Sequence, residues 1–412
     1  MVKIAVLGYG TVGSGVVEVI KTNQALVDAN AGKHIEIKYV LDLRDFPGDP
    51  VQEIITHDYN DILNDDEIQV VVEVMGGTKP AYDFVKAALE KGKSVCTSNK
   101  ALVAAHGSEL LKIAKENSVN FLFEASVGGG IPIIRPLNKS ITSDRIEEIT
   151  GILNGTTNYM LTKMSLEGLD YADVLKDAQD RGYAERNPAA DVEGHDTCRK
   201  IAILASIATG KEVNFEEIYT EGITNISKTD IAYVSKMGKA VKLLATAKFV
   251  GDNLWARVSP AIISPSHPLS MVSDVFNGIL VKGNMLGDVM FYGQGAGKLP
   301  TASAVVSDIV DAIKHQHINL GLDWSEEKVS LIDIDTVNVS KLVRVEYNDK
   351  EKALQAVESV FGVQNIVELK DAQDEFAFVT EVAKEAEINS NIEKLLNTDG
   401  VASILNTIRI EC

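Results

Sequence analysis

The chain has 412 residues, 45% of them hydrophobic and 24% charged, and a formal charge of −19. Its length exceeds what one hydrophobic core serves, so two or three domains are expected. The acidic balance argues against nucleic acid or an anionic membrane as a partner, since both need basic surface to displace counterions.

The chain opens directly on the strand-like run VKIAVLG, without a basic leader, and no apolar run approaches the ~20 residues that span a bilayer. From there, strands KIAVLG, IEIKYVL, VVVEVM, SVCTS and NFLFEA alternate with helices predicted over 11–21, 80–91 and 107–117. Such alternation reads as α/β, a doubly wound parallel sheet of the Rossmann type, over 1–125. Gly8, Gly10 and Gly13 form GxGxxG between the first strand and first helix, with Thr11 and Val12 among them. Gly8 allows the tight turn, Gly10 lets backbone approach a pyrophosphate, and Gly13 permits close packing at a helix N-terminus that favours negative charge. Asp42 ends the second strand where a ribose-reading acid is expected, and Arg44 two residues on would meet a 2′-phosphate, which leaves both NAD and NADP open.

Ser98, Asn99 and Lys100 follow the strand SVCTS at the carboxyl edge of the sheet, where ligands bind in open α/β folds. Lys100 would face substrate or cofactor phosphate, or simply solvent. The run EASVGGGIPI, 124–133, offers either a tight hinge or a set of carbonyls for a hard cation. Beyond it EEITGILNG, WARVSPAII, GILVKG and DVMFYG follow one another as strands, with one helical block at 166–209, so a second, α+β domain is expected over 126–320. A helix over 301–315 would pack back on the first domain, and GLDWSEEKVSLIDIDT reads as a linker. The last stretch, 336–412, reads strand, helix, strand, strand, helix, strand, the ferredoxin-like βαββαβ order.

The chemistry concentrates in GYAERNPAADVEGHDTCRK, 182–200, which leads Glu185, Asp191, Glu193 and Asp196 into the apolar run IAILASIATG. Asp196 and Lys200 lie four apart and share a helix face with the carboxylate N-terminal, the better orientation for such a pair. An exposed pair of this kind is ordinary, worth only ~0.3–0.5 kcal/mol. At the head of an apolar helix, however, the lysine is desolvated and suited to proton transfer. Cys96, Cys198 and Cys412 are widely spaced, without a CxxC pair, so neither a disulfide framework nor a zinc site is expected, and a reducing, cytoplasmic setting fits.

Taken in order, GYGTVG, TSNKALVA, EASVGGGIPI, GILNGTTNYMLTKM and GYAERNPAADVEGHDTCRKIAILA resemble the homoserine dehydrogenases over nearly the full length. The resemblance implies reversible conversion of aspartate 4-semialdehyde to homoserine with NADP or NAD, on the route to threonine, methionine and isoleucine. It implies a homodimer or homotetramer handling a small-molecule substrate. By motif, Lys200 matches the proton-transferring lysine, Asp196 the acid that supports it, and Lys100 a lysine near substrate and nicotinamide. Glu185 matches the acid that holds the amino acid end of the substrate, and Asp191, Gly155 and Thr156 line its pocket. Glu124, Val127, Gly129 and Ile131 match a site for a monovalent cation, Na+ or K+, while Gly295 and Gly297 resemble a loop that closes beside the cofactor. The tail is similar to an ACT module, although EYNDKEKAL lacks the proline and glycine expected at its first turn. Two rivals differ in chemistry. An aspartate-semialdehyde dehydrogenase would need an acylated cysteine with a histidine base, and a nicotinamide and amino acid sensor would have no use for the Glu185, Asp196, Lys200 set.

Overall fold

The computed structural model describes residues 1–322 and 324–411, so Cys412 and one residue of the expected linker, Asp323, lie outside it. Residues 2–122 build a parallel sheet in the order Ile55–Thr56, Ile35–Leu41, Val2–Leu7, Ile68–Glu73, Ser94–Thr97, Phe121–Leu122. Ser94–Thr97 is wholly buried and Val2–Leu7 and Ile68–Glu73 nearly so, as parallel strands covered by helices on both faces must be. The expected strand NFLFEA keeps only Phe121–Leu122, because Glu124–Ser126 tightens into a 3-10 turn. One face of this sheet is closed by Lys298–Lys314, whose Ala302, Val305 and Ile309 share a core with Val16, Val17 and Ile20 of Thr11–Thr22. The two helices meet at Gly15, where a Cβ would lie 2.7 Å from the Lys298 carbonyl.

Most of the later strands join one continuous mixed sheet in the order Gly287–Gln294, Phe276–Gly283, Ile146–Ile152, Ala240–Val250, Asn253–Ile263, Val401–Ile410, Asn338–Tyr347, Glu375–Val379, Ile366–Val367. Ala240–Val250 was missed in the sequence reading although it is a central strand. It pairs along its whole length with Asn253–Ile263, and its stretch VKLLATA is buried on both faces, so it lacks the alternation that marks a half-buried strand. The helical block begins at Gly155 rather than 166, and Lys228–Lys236 is a further helix closed by a Ser227–Asp230 capping box. In the tail, helices Lys350–Phe361 and Glu385–Leu396 pack with Val343, Phe376, Phe378 and Leu395 in a core of their own. The expected linker is structured too: Ser325–Lys328 pairs with Lys211–Glu212, and Trp324 is buried against Gly107. Among the described residues no helix is long and apolar enough to cross a membrane.

Candidate active site

Gly8 leaves Val2–Leu7 with a φ of +97°, open to glycine at little cost. A Cβ on Gly13 would lie 1.9 Å from the Gly8 carbonyl, so the turn closes only on glycine. At Gly10 the opposite holds: a Cβ would meet nothing within 4 Å. Its backbone therefore faces open space just where Thr11–Thr22 begins and unpaired N–H groups point outward, an arrangement that fits a pyrophosphate. At the end of Ile35–Leu41, Asp42 accepts from the Tyr9 amide at 2.8 Å and from Arg44 Nε at 2.9 Å and Nη2 at 3.0 Å. These Arg44 bonds, against the opposing effect of burial, hold the Asp42 carboxyl below the usual carboxylate range. Arg44 is itself exposed and lies 5.1 Å from the Phe46 ring. The acid and the base weighed as alternatives thus form one ion-paired unit.

Lys100 is placed by a buried polar network. Glu73, at the end of its strand, accepts from Thr97 Oγ1 at 2.6 Å and from the Met75 amide at 2.8 Å, and burial raises its pKa. Asn99 donates to the Gly77 carbonyl at 2.6 Å and accepts from the Leu102 amide at 3.1 Å, capping a helix that runs Lys100–Glu116. The helix expected from 107 therefore starts seven residues earlier, because this cap supplies the missing acceptor. Lys100 becomes its first residue.

The two lysines meet on one carboxylate. Asp196, in the first turn of His195–Thr209, places Oδ2 2.7 Å from Lys200 Nζ and Oδ1 2.7 Å from Lys100 Nζ. Lys200 also donates to the Leu153 carbonyl at 2.7 Å, and its side chain is only 10% exposed, against 42% for Lys100. Burial lowers the Lys200 pKa, with Asp196 opposing and Lys100 reinforcing that shift. For Lys100 burial acts the same way, but Asp196 outweighs it and holds the ammonium above its ordinary range. Burial would raise the Asp196 carboxyl, yet the two ammonium groups pull it well below the usual range. Asn154 donates to Asp191 at 2.7 Å and to Asp196 at 2.9 Å, which keeps the two acids apart. Burial, then the Asp196 charge, raises the Asp191 pKa.

A cleft of about 480 Å³ collects Thr11, Val12, Ser98, Lys100, Glu185 and Lys200, with Gly129, Gly295 and Gly297 also on its wall. Glu185 is exposed at this opening, and Asp196 stands behind the lysines at 6% side-chain exposure. Thr156 donates to the Tyr183 carbonyl at 2.6 Å, tying Gly155–Glu167 to the turn that presents Glu185. A Cβ on Gly155 would fall 2.7 Å from the Val275 carbonyl, so this residue serves close packing. Gly297, with φ +121°, starts Lys298–Lys314.

In the 124–131 turn, the Glu124 carboxylate is occupied by the amides of Ile133, Ile134 and Arg135, at 2.6 to 2.8 Å. That leaves its carbonyl as the oxygen without a hydrogen-bond partner among the described residues. The carbonyls of Val127, Gly129 and Ile131 accept no hydrogen bond among the described residues, and neutral carbonyl oxygens are the donor type a hard cation takes. Cys96 and Cys198 are buried and burial raises both thiol pKa values, the reverse of an activated nucleophile.

Sequence reasoning missed Asn154, the Leu153 carbonyl, Glu73 and the role of Asn99. Two of these carried a usable signal, since Asn154 and Asn99 each stand just before a helix and the side chains do cap. Glu73 reads as one more residue of an apolar strand.

Family models described as homoserine dehydrogenase, NAD binding domain, and homoserine dehydrogenase match residues 8–124 and 132–310. A homoserine dehydrogenase of Bacillus subtilis is 37% identical over 429 aligned positions, covering 100% of this chain and 98% of that protein. The crystal structure of a homoserine dehydrogenase from Thiobacillus denitrificans superposes with a TM-score of 0.91 at 34% identity, covering 100% of this chain and 98% of that one. A hyperthermophilic archaeal homoserine dehydrogenase in complex with NADPH matches at TM-score 0.63 and 28% identity, over 76% of this chain and 97% of its own. With a dinucleotide turn, two lysines on one buried carboxylate and relatives matched from end to end, this chain belongs to the homoserine dehydrogenases, NAD(P)-dependent oxidoreductases that interconvert aspartate 4-semialdehyde and homoserine.

Proposed function

We propose that Lys200 is the proton-transferring residue, that Asp196 holds and charges it, and that Lys100 and Glu185 orient the substrate. One observation carries this reading: a single buried carboxylate bridges both amines at 2.7 Å beside the cleft. The Gly8–Gly13 turn and the Asp42–Arg44 pair would hold a nicotinamide dinucleotide, which would supply hydride transfer to and from the carbon that bears the reacting oxygen. In oxidation, neutral Lys200 takes the hydroxyl proton as the carbon–oxygen double bond forms. In reduction, its ammonium stabilises the developing oxyanion and then protonates it, a contribution worth ~10²–10⁴-fold. The Leu153 carbonyl accepts a hydrogen bond from Nζ and so orients the amine. Burial lowers the Lys200 pKa and so favours the neutral amine relative to an exposed lysine, while Asp196 opposes that shift. Glu185 would counter the substrate α-ammonium, Lys100 its carboxylate or carbonyl, and Asp191 the pocket's remaining donors.

Either nicotinamide cofactor is compatible with the rim. The exposed Arg44 guanidinium, and the NADPH of the archaeal relative, support NADP. The carbonyls at 124–131 would hold Na+ or K+, and a homodimer or homotetramer is the assembly we expect. The tail is read as an ACT-like, ferredoxin-like module, on the support of its βαββαβ order and of the fourth strand lying beside the first. The test is homoserine-dependent reduction of NADP and NAD by the parent and by Lys200→Ala. Turnover should fall by at least about 100-fold while cofactor binding, followed by fluorescence, changes less than about twofold. Near-normal turnover excludes the role.

A further inference from the structure

We propose that Arg409, in the last strand of the chain, is a positioning residue for the acidic segment 191–196, acting through a strap at 219–223. The proposal rests on the reading of Asp191 and Asp196 given above.

The strand Asn253–Ile263 pairs on one side with Ala240–Val250. Its other edge is met by short segments, Leu331 at Leu254 among them, and two of these lie next to each other. Tyr219–Thr220 pairs with Arg257 and Val258, and Val401–Ile410 pairs with Ala261 and Ile262, both in parallel. Arg409 joins them: Nη1 donates to Glu221, while Nε and Nη2 engage Glu385. Its guanidinium also lies 4.8 Å from the centre of the Tyr219 ring, and the Tyr219 hydroxyl donates to Glu221 at 3.1 Å. The Arg409 side chain is 7% exposed and Glu385 2%, so that ion pair is shielded from water and salt, while Glu221 lies nearer the surface at 29%.

The strap in turn grips the site. The Glu221 amide donates to the Val258 carbonyl at 2.8 Å, and the Ile223 amide to the Val192 carbonyl at 2.8 Å. Between them a Cβ on Gly222 would fall 2.0 Å from the Val192 carbonyl and 2.4 Å from Glu193 Cα, so the two backbones touch without slack. Gly194, at φ +86°, packs on the strap as well, with its Cβ position 3.1 Å from Thr220 Cγ2. The next residue opens the helix that carries Asp196 and Lys200. A loosened strap would therefore release the register of Asp191 and Asp196 against Asn154, and the tail supplies the ion pair that prevents it.

The experiment uses the full-length enzyme and reads KM for homoserine and for cofactor, turnover and Tm in four variants. Glu221→Gln and Tyr219→Leu should each raise homoserine KM about fivefold, the effect of losing one orienting hydrogen bond, with cofactor KM within about twofold. Glu375→Gln weakens the tail's separate ion pair with Arg344 and touches nothing in the strap, so it should lower Tm without this kinetic split. A homoserine KM in both strap variants no higher than in Glu375→Gln overturns the proposal. Asp191→Asn separates the two readings. If it raises homoserine KM and the strap variants do not, only the strap fails; if it too has no effect, the assignment of the acidic segment fails first.

Discussion

Replacing Asp196 with asparagine keeps the shape of the side chain and removes the charge between two ammonium groups. Each amine lies 2.7 Å from it, and the side chains of Asp196 and Lys200 are 6% and 10% exposed, so solvent supplies little compensation. A hydrogen bond to a charged partner is worth ~1.5–3 kcal/mol, and ~1.36 kcal/mol corresponds to one pKa unit. The Lys200 pKa, already lowered by burial, should therefore fall further once the Asp196 charge that opposes burial is gone. The sign is definite: a lower pKa means that the ammonium is lost at a lower pH. In the reducing direction, where the ammonium is the proton donor, the alkaline limb of turnover should move toward acid. In the oxidising direction, where the neutral amine is the base, the acid limb should move the same way. Removing one partner of a buried pair also costs ~3–5 kcal/mol of stability, reduced here because Lys100 is partly exposed, so Tm is recorded on the same samples. Turnover as a function of pH in both directions is the assay. A folded Asp196→Asn enzyme with an unmoved profile would refute the reasoning, since the carboxylate would then not control the amine.

Gly10→Ala should fold normally, because its Cβ has open space, but raise cofactor KM by about tenfold or more by filling the approach to the pyrophosphate. Gly13→Ala should instead lower Tm as well, since its Cβ would strike the Gly8 carbonyl; equal Tm in the two variants would count against this account of the turn. Arg44→Ala should reduce the preference for NADP over NAD, read as the ratio of kcat/KM values, and an unchanged ratio removes Arg44 from 2′-phosphate recognition. Lys242 is buried against the Val272 carbonyl, and burial lowers its pKa to about 8. Because the folded-state pKa is depressed, the unfolded chain binds more protons between pH ~8 and ~10.5, so this group makes stability rise with pH across that window, by up to about 3 kcal/mol. Lys242→Met should abolish that rise in denaturant titrations, and a slope identical to the parent's would show that the amine is solvated.

The glycine turn, the Asp196–Lys200 spacing and the first parallel strands were legible because each depends on neighbours in the chain: a period, a cap or a fixed helical offset. The strand Ala240–Val250 was not legible. A fully buried strand carries no alternation, and its identity comes from having Ile146–Ile152 on one side and Asn253–Ile263 on the other. The linker failed for a related reason, since the polar run SEEK becomes a strand only by finding Lys211–Glu212. In the site, local order showed that Asp196 would meet Lys200, four residues away. That Lys100 would take the other oxygen of the same carboxylate was beyond it.

What the chain by itself determined is therefore chemical: which groups are present, which of them lie on one helical face, and where backbone must be glycine. Only the folded protein decided how those groups are charged. Burial lowers Lys200 and raises Asp191, the meeting of two lysines on one acid depresses Asp196, and pairing with Arg44 occupies Asp42. The physical reason is that a pKa is set by distance and solvent exclusion between residues remote in sequence, quantities that exist only once the sheets have closed.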